Sequence, residues 1–170
     1  KAESDLRGLI KRLLSQMEKQ FVTEFDRLNG YFQQTFVRLF GGGQAELKLT
    51  DPNDPLCCGI EVVAQPPGKK LQLLSLLSGG ERALTAIAIL FAMLKVKPSP
   101  FCILDEIEAA LDDANISYFA DYLVEFAKTT QFVVVTHRKG TMERCDTLFG
   151  VAMEERGISS MVSVNLKDYQ

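Results

Sequence analysis

Phe101-Cys102-Ile103-Leu104-Asp105-Glu106 is the stretch that decides the fold. Four consecutive apolar residues leave no polar face, the pattern of a parallel strand covered on both sides. Phe132-Val133-Val134-Val135 repeats the pattern and runs into Thr136-His137. An acidic stretch and a helical pattern from about Asp112 to Ala127 lie between the two. Fully apolar strands joined through one helix predict buried, neighbouring parallel strands and an α/β fold. Asp105 and Glu106 then emerge at the C-terminal end of their strand, where parallel sheets hold ligands.

Toward the C-terminus, two further strands are predicted near Thr147–Met153 and Ser160–Leu166, around a turn at Glu154–Gly157. On the N-terminal side, Pro98 and Pro100 stop a helix that runs from Glu81 to about Lys95. With Leu84, Ile87, Ile89, Leu90, Phe91, Met93 and Leu94 it is apolar on nearly every side, so it is expected to be buried. Ser78-Gly79-Gly80 precedes that helix, and Gln65-Pro66-Pro67-Gly68-Lys69-Lys70 forms a break before it. Further back the period is two. Ala45, Leu47 and Leu49 alternate with Glu46, Lys48 and Thr50, and Ile60, Val62 and Ala64 alternate likewise beyond Asp51-Pro52-Asn53-Asp54-Pro55. That is a hairpin with a long loop.

Before the hairpin, Ile10, Leu14, Met17, Phe21, Phe25, Leu28, Phe32, Phe36 and Leu39 recur every three or four residues, and Gly41-Gly42-Gly43 closes the run. This is one long amphipathic helix. Its first half, rich in Lys, Arg, Gln and Glu, has two readings of equal weight: the end of a coiled coil entering a domain, or a long surface helix packed on a core. The chain is thus divided into an arm helix over 1–40 and a domain over 41–170.

The 170 residues fit one domain or a large piece of a bigger protein, and the start at Lys1-Ala2-Glu3-Ser4, mid-pattern and without Met, suggests the latter. Nineteen Lys and Arg against 22 Asp and Glu give a net charge of −3, which excludes a generally DNA-coating protein while leaving room for a local basic patch. No apolar run reaches the roughly 18 residues of a membrane span. Without a signal-like start the expectation is a cytoplasmic protein with no membrane partner. Cys57, Cys58, Cys102 and Cys145 show no C-x-x-C spacing, and His137 is the only histidine, so reduced, mostly buried thiols are expected rather than zinc ligands.

Four short motifs carry chemistry, each with a plainer alternative. Asp105-Glu106 offers two hard oxygen ligands: in P-loop ATPases the first carboxylate holds Mg²⁺ and the second orients and deprotonates water, whereas elsewhere such a pair merely caps a helix. Ser78-Gly79-Gly80-Glu81 places unblocked N–H groups at the positive end of a helix dipole, which makes either an anion site or a simple N-cap. Asp112, in Ala109-Ala110-Leu111-Asp112, either caps the next helix or reaches across an interface. A lone histidine is commonly structural, but the position of His137 beside the strand carrying Asp105-Glu106 favours a phosphate-facing role.

In this order, Leu77-Ser78-Gly79-Gly80-Glu81, strand-Asp105-Glu106, Ala110-Leu111-Asp112 and strand-Thr136-His137 resemble the C-terminal half of an ABC-type ATPase head. Pro66-Pro67-Gly68-Lys69-Lys70, Leu77 to Leu84, Asp105 to Asp112 and Thr136-His137-Arg138-Lys139-Gly140-Thr141-Met142-Glu143 narrow the likeness to bacterial structural-maintenance-of-chromosomes (SMC) proteins, over essentially the whole chain. The resemblance implies ATP and Mg²⁺ as cofactors. It implies that Ser78, Gly79, Gly80 and Glu81 form the signature motif contacting the γ-phosphate held by an opposite head. Asp105 would be the Mg²⁺ aspartate, Glu106 the catalytic base, Asp112 the D-loop aspartate and His137 the switch histidine.

No G-x-x-x-x-G-K-[ST] occurs; Pro67-Gly68-Lys69-Lys70 lacks the first glycine and the hydroxyl residue. The resemblance therefore implies a C-terminal lobe, inactive by itself. Its partners would be the N-terminal lobe of the same SMC protein, a second SMC head, the C-terminal winged-helix domain of a kleisin, and DNA held by the assembled complex. Two rivals stand beside this reading: a non-catalytic docking module for the kleisin, and the nucleotide-binding subunit of a transporter, against which the long first helix speaks.

Overall fold

The computed structural model describes residues 2–166. The chain forms two compact units, Lys1–Ser99 and Pro100–Gln170. The first contains α1 (Ala2–Phe40), β1 (Gln44–Leu49), β2 (Ile60–Gln65), β3 (Gln72–Leu73), a 3₁₀ turn at Leu74–Leu76 and α2 (Gly79–Val96). The second contains β4 (Phe101–Asp105), α3 (Asp113–Phe126), β5 (Gln131–Val135), a single-turn α4 (Lys139–Met142), β6 (Thr147–Glu155) and β7 (Ile158–Asn165).

The two halves of the first helix differ in burial. Leu6, Ile10, Leu14 and Met17 form an apolar stripe about half exposed, whereas Phe32, Phe36 and Leu39 are fully buried where α1 packs on α2 and β1. Its end is a Schellman motif: Gly41 turns left-handed at φ 67°, and the N–H of Gly42 returns to the carbonyl of Val37 at 3.0 Å. Gly43 is required for a different reason. A Cβ there would lie 2.2 Å from the carbonyl oxygen of Gln65, so only glycine lets the chain turn directly into β1. Asn29 then accepts the N–H of Leu47 at 2.8 Å and ties β1 to the helix.

β1 and β2 pair antiparallel from Gln44↔Gln65 to Leu49↔Ile60, as the alternation predicts, and β3, too short to be read from the sequence, adds to β2 through Val63↔Leu73. Ala45, Leu47 and Ala64 are buried, but Ile60, at the loop end of the ribbon, is 48% exposed. The expectation that α2 is buried on nearly every side is corrected. Leu84, Thr85, Ile87, Ala88, Phe91 and Ala92 are buried and α1 covers one side, but Ile89, Leu90 and Leu94 are half-buried and Met93 is 48% exposed.

In the second unit β4 and β5 are neighbouring parallel strands, in register from Phe101↔Gln131 to Asp105↔Val135, and α3 connects them. The prediction that both strands are buried on both faces is corrected. Leu104 is buried and Cys102, Phe132 and Val134 are half-buried, but Phe101, Ile103, Val133 and Val135 on the opposite face are 49–63% exposed. A two-stranded sheet with one crossover helix buries one face only; the apolar residues on the other await a layer this unit does not supply. β6 and β7 form an antiparallel ribbon turning at Gly157, and its Phe149, Val151, Met153 and Met161 are likewise open. The thiols are free but not mostly buried as expected: Cys58, Cys102 and Cys145 are half-buried and Cys57 is exposed in the β1–β2 loop.

Candidate functional site

Asp105 and Glu106 stand where the strand pattern places them, at the C-terminal end of β4, and both are exposed. The N–H of Glu106 still donates to the carbonyl of Val135 at 2.9 Å, so the pairing with β5 extends one residue past the strand. There the backbone turns sharply. Glu106 has φ 48° and is the one non-glycine residue in the left-handed region among the described residues. A long side chain in that conformation costs about 1–3 kcal/mol and persists only where its surroundings hold it; such outliers gather at functional sites. His137 follows β5, and its Nδ1 lies 3.1 Å from Oε1 of Glu106. A carboxylate only accepts, so Nδ1 carries the proton and donates to Glu106. The structure thus brings Asp105, Glu106 and His137 together at one sheet edge.

Three residues to which the sequence assigned no separate role complete this edge. Glu108 is 1% exposed, and its Oε1 accepts a short 2.5 Å hydrogen bond from the hydroxyl of Thr136. The same hydroxyl oxygen accepts the N–H of Arg138 at 3.0 Å. The guanidinium of Arg138 donates to the carbonyls of Ala109 and Leu111, at 2.8 and 3.0 Å. Glu108 stands between Ile107 and Ala109-Ala110-Leu111, and a carboxylate inside an apolar run was the available signal. Its partner, 28 residues away, left no trace in spacing.

Asp112 takes the capping alternative: its carboxylate accepts the N–H of Asn115 at 2.9 Å and starts α3. Asp112 is itself exposed, so the cap does not withdraw it from the surface.

Ser78, Gly79, Gly80 and Glu81 belong to the first unit. Ser78 is the N-cap of α2 in a reciprocal capping box: its Oγ accepts the N–H of Glu81, and its own N–H and hydroxyl donate to the Glu81 carboxylate at 3.0 and 2.8 Å. Lys69 closes the group with an ion pair to Glu81 at 2.9 Å. Burial works against charge on Glu81, but the hydrogen bonds from Lys69 and Ser78 prevail and hold its carboxyl below the usual range. The hydroxyl of Ser78 is turned into this box. Gly79 is exposed, and a Cβ there would meet nothing within 4 Å, so the first turn of α2 remains open to an approaching anion.

Among the described residues no three His, Cys, Asp or Glu side chains form a metal-holding group. The donors do suit one metal. Mg²⁺ binds through one or two carboxylates plus water and phosphate oxygens, and Asp105-Glu106 supply carboxylates at an open sheet edge.

A parallel strand pair, one strand ending in adjacent carboxylates and the other followed by a histidine, places these groups at the strand ends where α/β sheets bind ligands. The chain belongs to the RecF/RecN/SMC family: residues 4–160 match the family described as "RecF/RecN/SMC N terminal domain". The chromosome partition protein Smc of Bacillus subtilis (strain 168) is 58% identical over 167 residues, which are 98% of this chain and 14% of that protein. The chain thus spans about a seventh of such relatives. Among solved structures, the Smc head domain of Pyrococcus furiosus, with an extended coiled coil and bound to the C-terminal domain of ScpA, superposes with a TM-score of 0.87 at 38% identity, covering 98% of this chain and 42% of that one. A chain from work on ATP-driven dimerization and DNA-stimulated activation of SMC ATPases superposes with a TM-score of 0.82 at 39% identity, over 89% of this chain and 92% of that one.

Proposed function

We propose that this chain is the C-terminal lobe of a bacterial SMC ATPase head, and that with its N-terminal lobe and a second head it binds and hydrolyses ATP to drive chromosome condensation and segregation. The observation that carries the reading is the Glu106–His137 pair at the end of β4. Glu106 is a carboxylate held in one strained orientation at the place where a parallel sheet meets its ligand. It would take the proton of the attacking water, and His137 would hold the carboxylate in that pose through Nδ1–H while its Nε2 side faces phosphate. Asp105 would hold Mg²⁺, which neutralises phosphate charge when bound. Ser78, Gly79, Gly80 and Glu81, with Asp112, would meet the nucleotide of the opposite head, with the N–H groups opening α2 as donors.

The assignment to a C-terminal lobe rests on the content of the chain. It carries the strand-Asp-Glu, signature and switch elements but no phosphate-binding glycine loop. The uncovered apolar face of Phe101, Ile103, Val133 and Val135 is the surface a second lobe would cover. Residues 1–40 would end the coiled-coil arm, whose partner helix would cover Leu6, Ile10 and Leu14, and residues 41–170 would form the lobe. By the same reading the isolated lobe is inactive and serves to dock the winged-helix domain of a kleisin, as the relatives bound to ScpA suggest. The assembled complex would hold DNA in the cytoplasm, on the nucleoid.

The test is Glu106→Gln in the protein assembled with its N-terminal lobe. ATP binding and head pairing should persist while turnover falls by about 10²–10⁴, the usual cost of losing a positioned general base. Equal loss of binding and turnover would make Glu106 a structural residue. Steady hydrolysis by the 170-residue chain alone would refute the half-site reading.

A further inference from the structure

Glu108 is a fully buried carboxylate that the hydrolytic reading leaves without work. Its surroundings are unusual. One oxygen takes the Thr136 hydroxyl and the other, Oε2, has no hydrogen-bond partner among the described residues, as Nε of Arg138 and Oγ1 of Thr141 also lack one. A chain does not bury an acid in this way for stability, since an apolar residue of the same volume costs less.

What it holds can be traced bond by bond. Glu108 grips Thr136, Thr136 accepts the N–H of Arg138, and Arg138 reaches back to the carbonyls of Ala109 and Leu111. These bonds close a ring between the loop after β4 and the segment after β5. Glu106 lies just before the first segment and His137 sits between Thr136 and Arg138 in the second, so both members of the 3.1 Å pair are fixed by the ring although neither belongs to it. The ring also answers the question raised by φ 48° at Glu106: a strained, exposed residue needs neighbours that hold both its flanks.

We propose that Glu108, Thr136 and Arg138 form a buried clasp that positions the Glu106–His137 pair, with Glu108 as its anchor. The three are positioning residues. None needs to touch nucleotide. Their effect rests on the hydrolytic role proposed for Glu106, and it reaches turnover without reaching ATP affinity, because displacing a catalytic group by about 1 Å can cost on the order of 10²-fold in rate.

The decisive variants are Thr136→Val, which keeps shape and removes the hydroxyl, and Thr136→Ser, which keeps the hydroxyl, both in the full-length assembled protein. Thr136→Val should lower kcat by about 10²-fold with KM for ATP and head pairing unchanged, and Thr136→Ser should restore most of it. In a Glu106→Gln background, Thr136→Val should cost little more, because a misplaced base and an absent base are the same defect. Glu108→Ala should copy Thr136→Val if it folds; Thr136→Val carries the test if it does not. A kcat for Thr136→Val within about twofold of the parent, or a loss that Thr136→Ser does not rescue and that follows a fall in Tm, overturns the clasp. So does a full additional loss in the Glu106→Gln background. Glu106→Gln separates the two proposals. If it leaves turnover unchanged, the hydrolytic reading fails and the clasp with it; if it abolishes turnover while Thr136→Val does not lower it, the clasp alone fails.

Discussion

The two chemical segments of this chain are built in opposite ways. At Ser78–Glu81 the side chains of Ser78 and Glu81 satisfy each other and Lys69 from the preceding break, the backbone is unstrained, and the N–H groups opening α2 stay available. At Glu106–His137 the backbone of Glu106 is left-handed, both side chains are exposed, and the support comes from Glu108, Thr136 and Arg138, through bonds that span up to 29 residues. The first segment is a preformed donor surface at a helix end, stable without a ligand. The second is a tensioned one, with orientation bought by strain and held by a buried acid. A recognition element and a reacting element call for this contrast: one must present fixed N–H groups, the other must keep a carboxylate where it would not otherwise rest.

The largest effect that probes the contrast is the turnover loss of Glu106→Gln in the assembled protein, about 10²–10⁴-fold with binding retained. Next comes Ser78→Arg against Ser78→Ala. Both lose the N-cap, costing about 0.5–2 kcal/mol in denaturant unfolding, so a helix-capping role predicts equal damage. If α2 also meets phosphate of an opposite head, Arg adds bulk at a point that must come within hydrogen-bond reach. Ser78→Arg should then abolish ATP-dependent pairing in a sedimentation experiment while Ser78→Ala only weakens it. Identical pairing by the two variants would reduce Ser78 to a cap. Smaller still is Glu106→Gly. Glycine accepts φ 48° without the Cβ penalty, so the unfolding midpoint should rise by the equivalent of about 1 kcal/mol even as turnover disappears. A fall in stability would mean that the Glu106 side chain stabilises its loop by more than the strain costs.

How much of this was readable in the sequence follows the same divide. Local devices were legible: the glycine stop at Gly41-Gly42-Gly43, the period-two hairpin, the N-caps at Ser78 and Asp112, and the paired strands of β4 and β5. Each depends on residues a few positions apart, or on an unbroken apolar run. The clasp was not legible, because Thr136 and Glu108 meet only once β4 and β5 are in register. Burial was over-read for a related reason. An apolar run such as Phe101–Leu104 says that both faces will be covered in the finished protein, not that this chain covers them. The open faces of β4, β5 and α2 are therefore exposed apolar surfaces, which the proposed second lobe would cover.

The smallest predicted effect lies in the capping box, and its sign can be worked out. Glu81 has its folded pKa below the usual carboxylate value, with hydrogen bonds from Lys69 and Ser78 outweighing burial. A depressed carboxyl contributes stability that is fully present above its unfolded value, about 4.3, and is lost as pH falls through the lower folded value. Other carboxylates titrate in the same window, so the measurement must be a difference. Glu81→Gln keeps the capping geometry, because the amide oxygen still accepts the N–H of Ser78, but it removes the charge. The stability gap between parent and Glu81→Gln, from urea midpoints, should be constant from pH 7 to about 5.5 and should shrink below that. Lys69→Met should flatten part of the slope, because Lys69 is half exposed and its ion pair is screened by solvent. Parallel curves for parent and Glu81→Gln down to pH 3 would mean that the box is held by hydrogen-bond geometry alone. The first segment would then be not merely self-satisfied but indifferent to charge, and the contrast with the strained carboxylate at Glu106 would be sharper still.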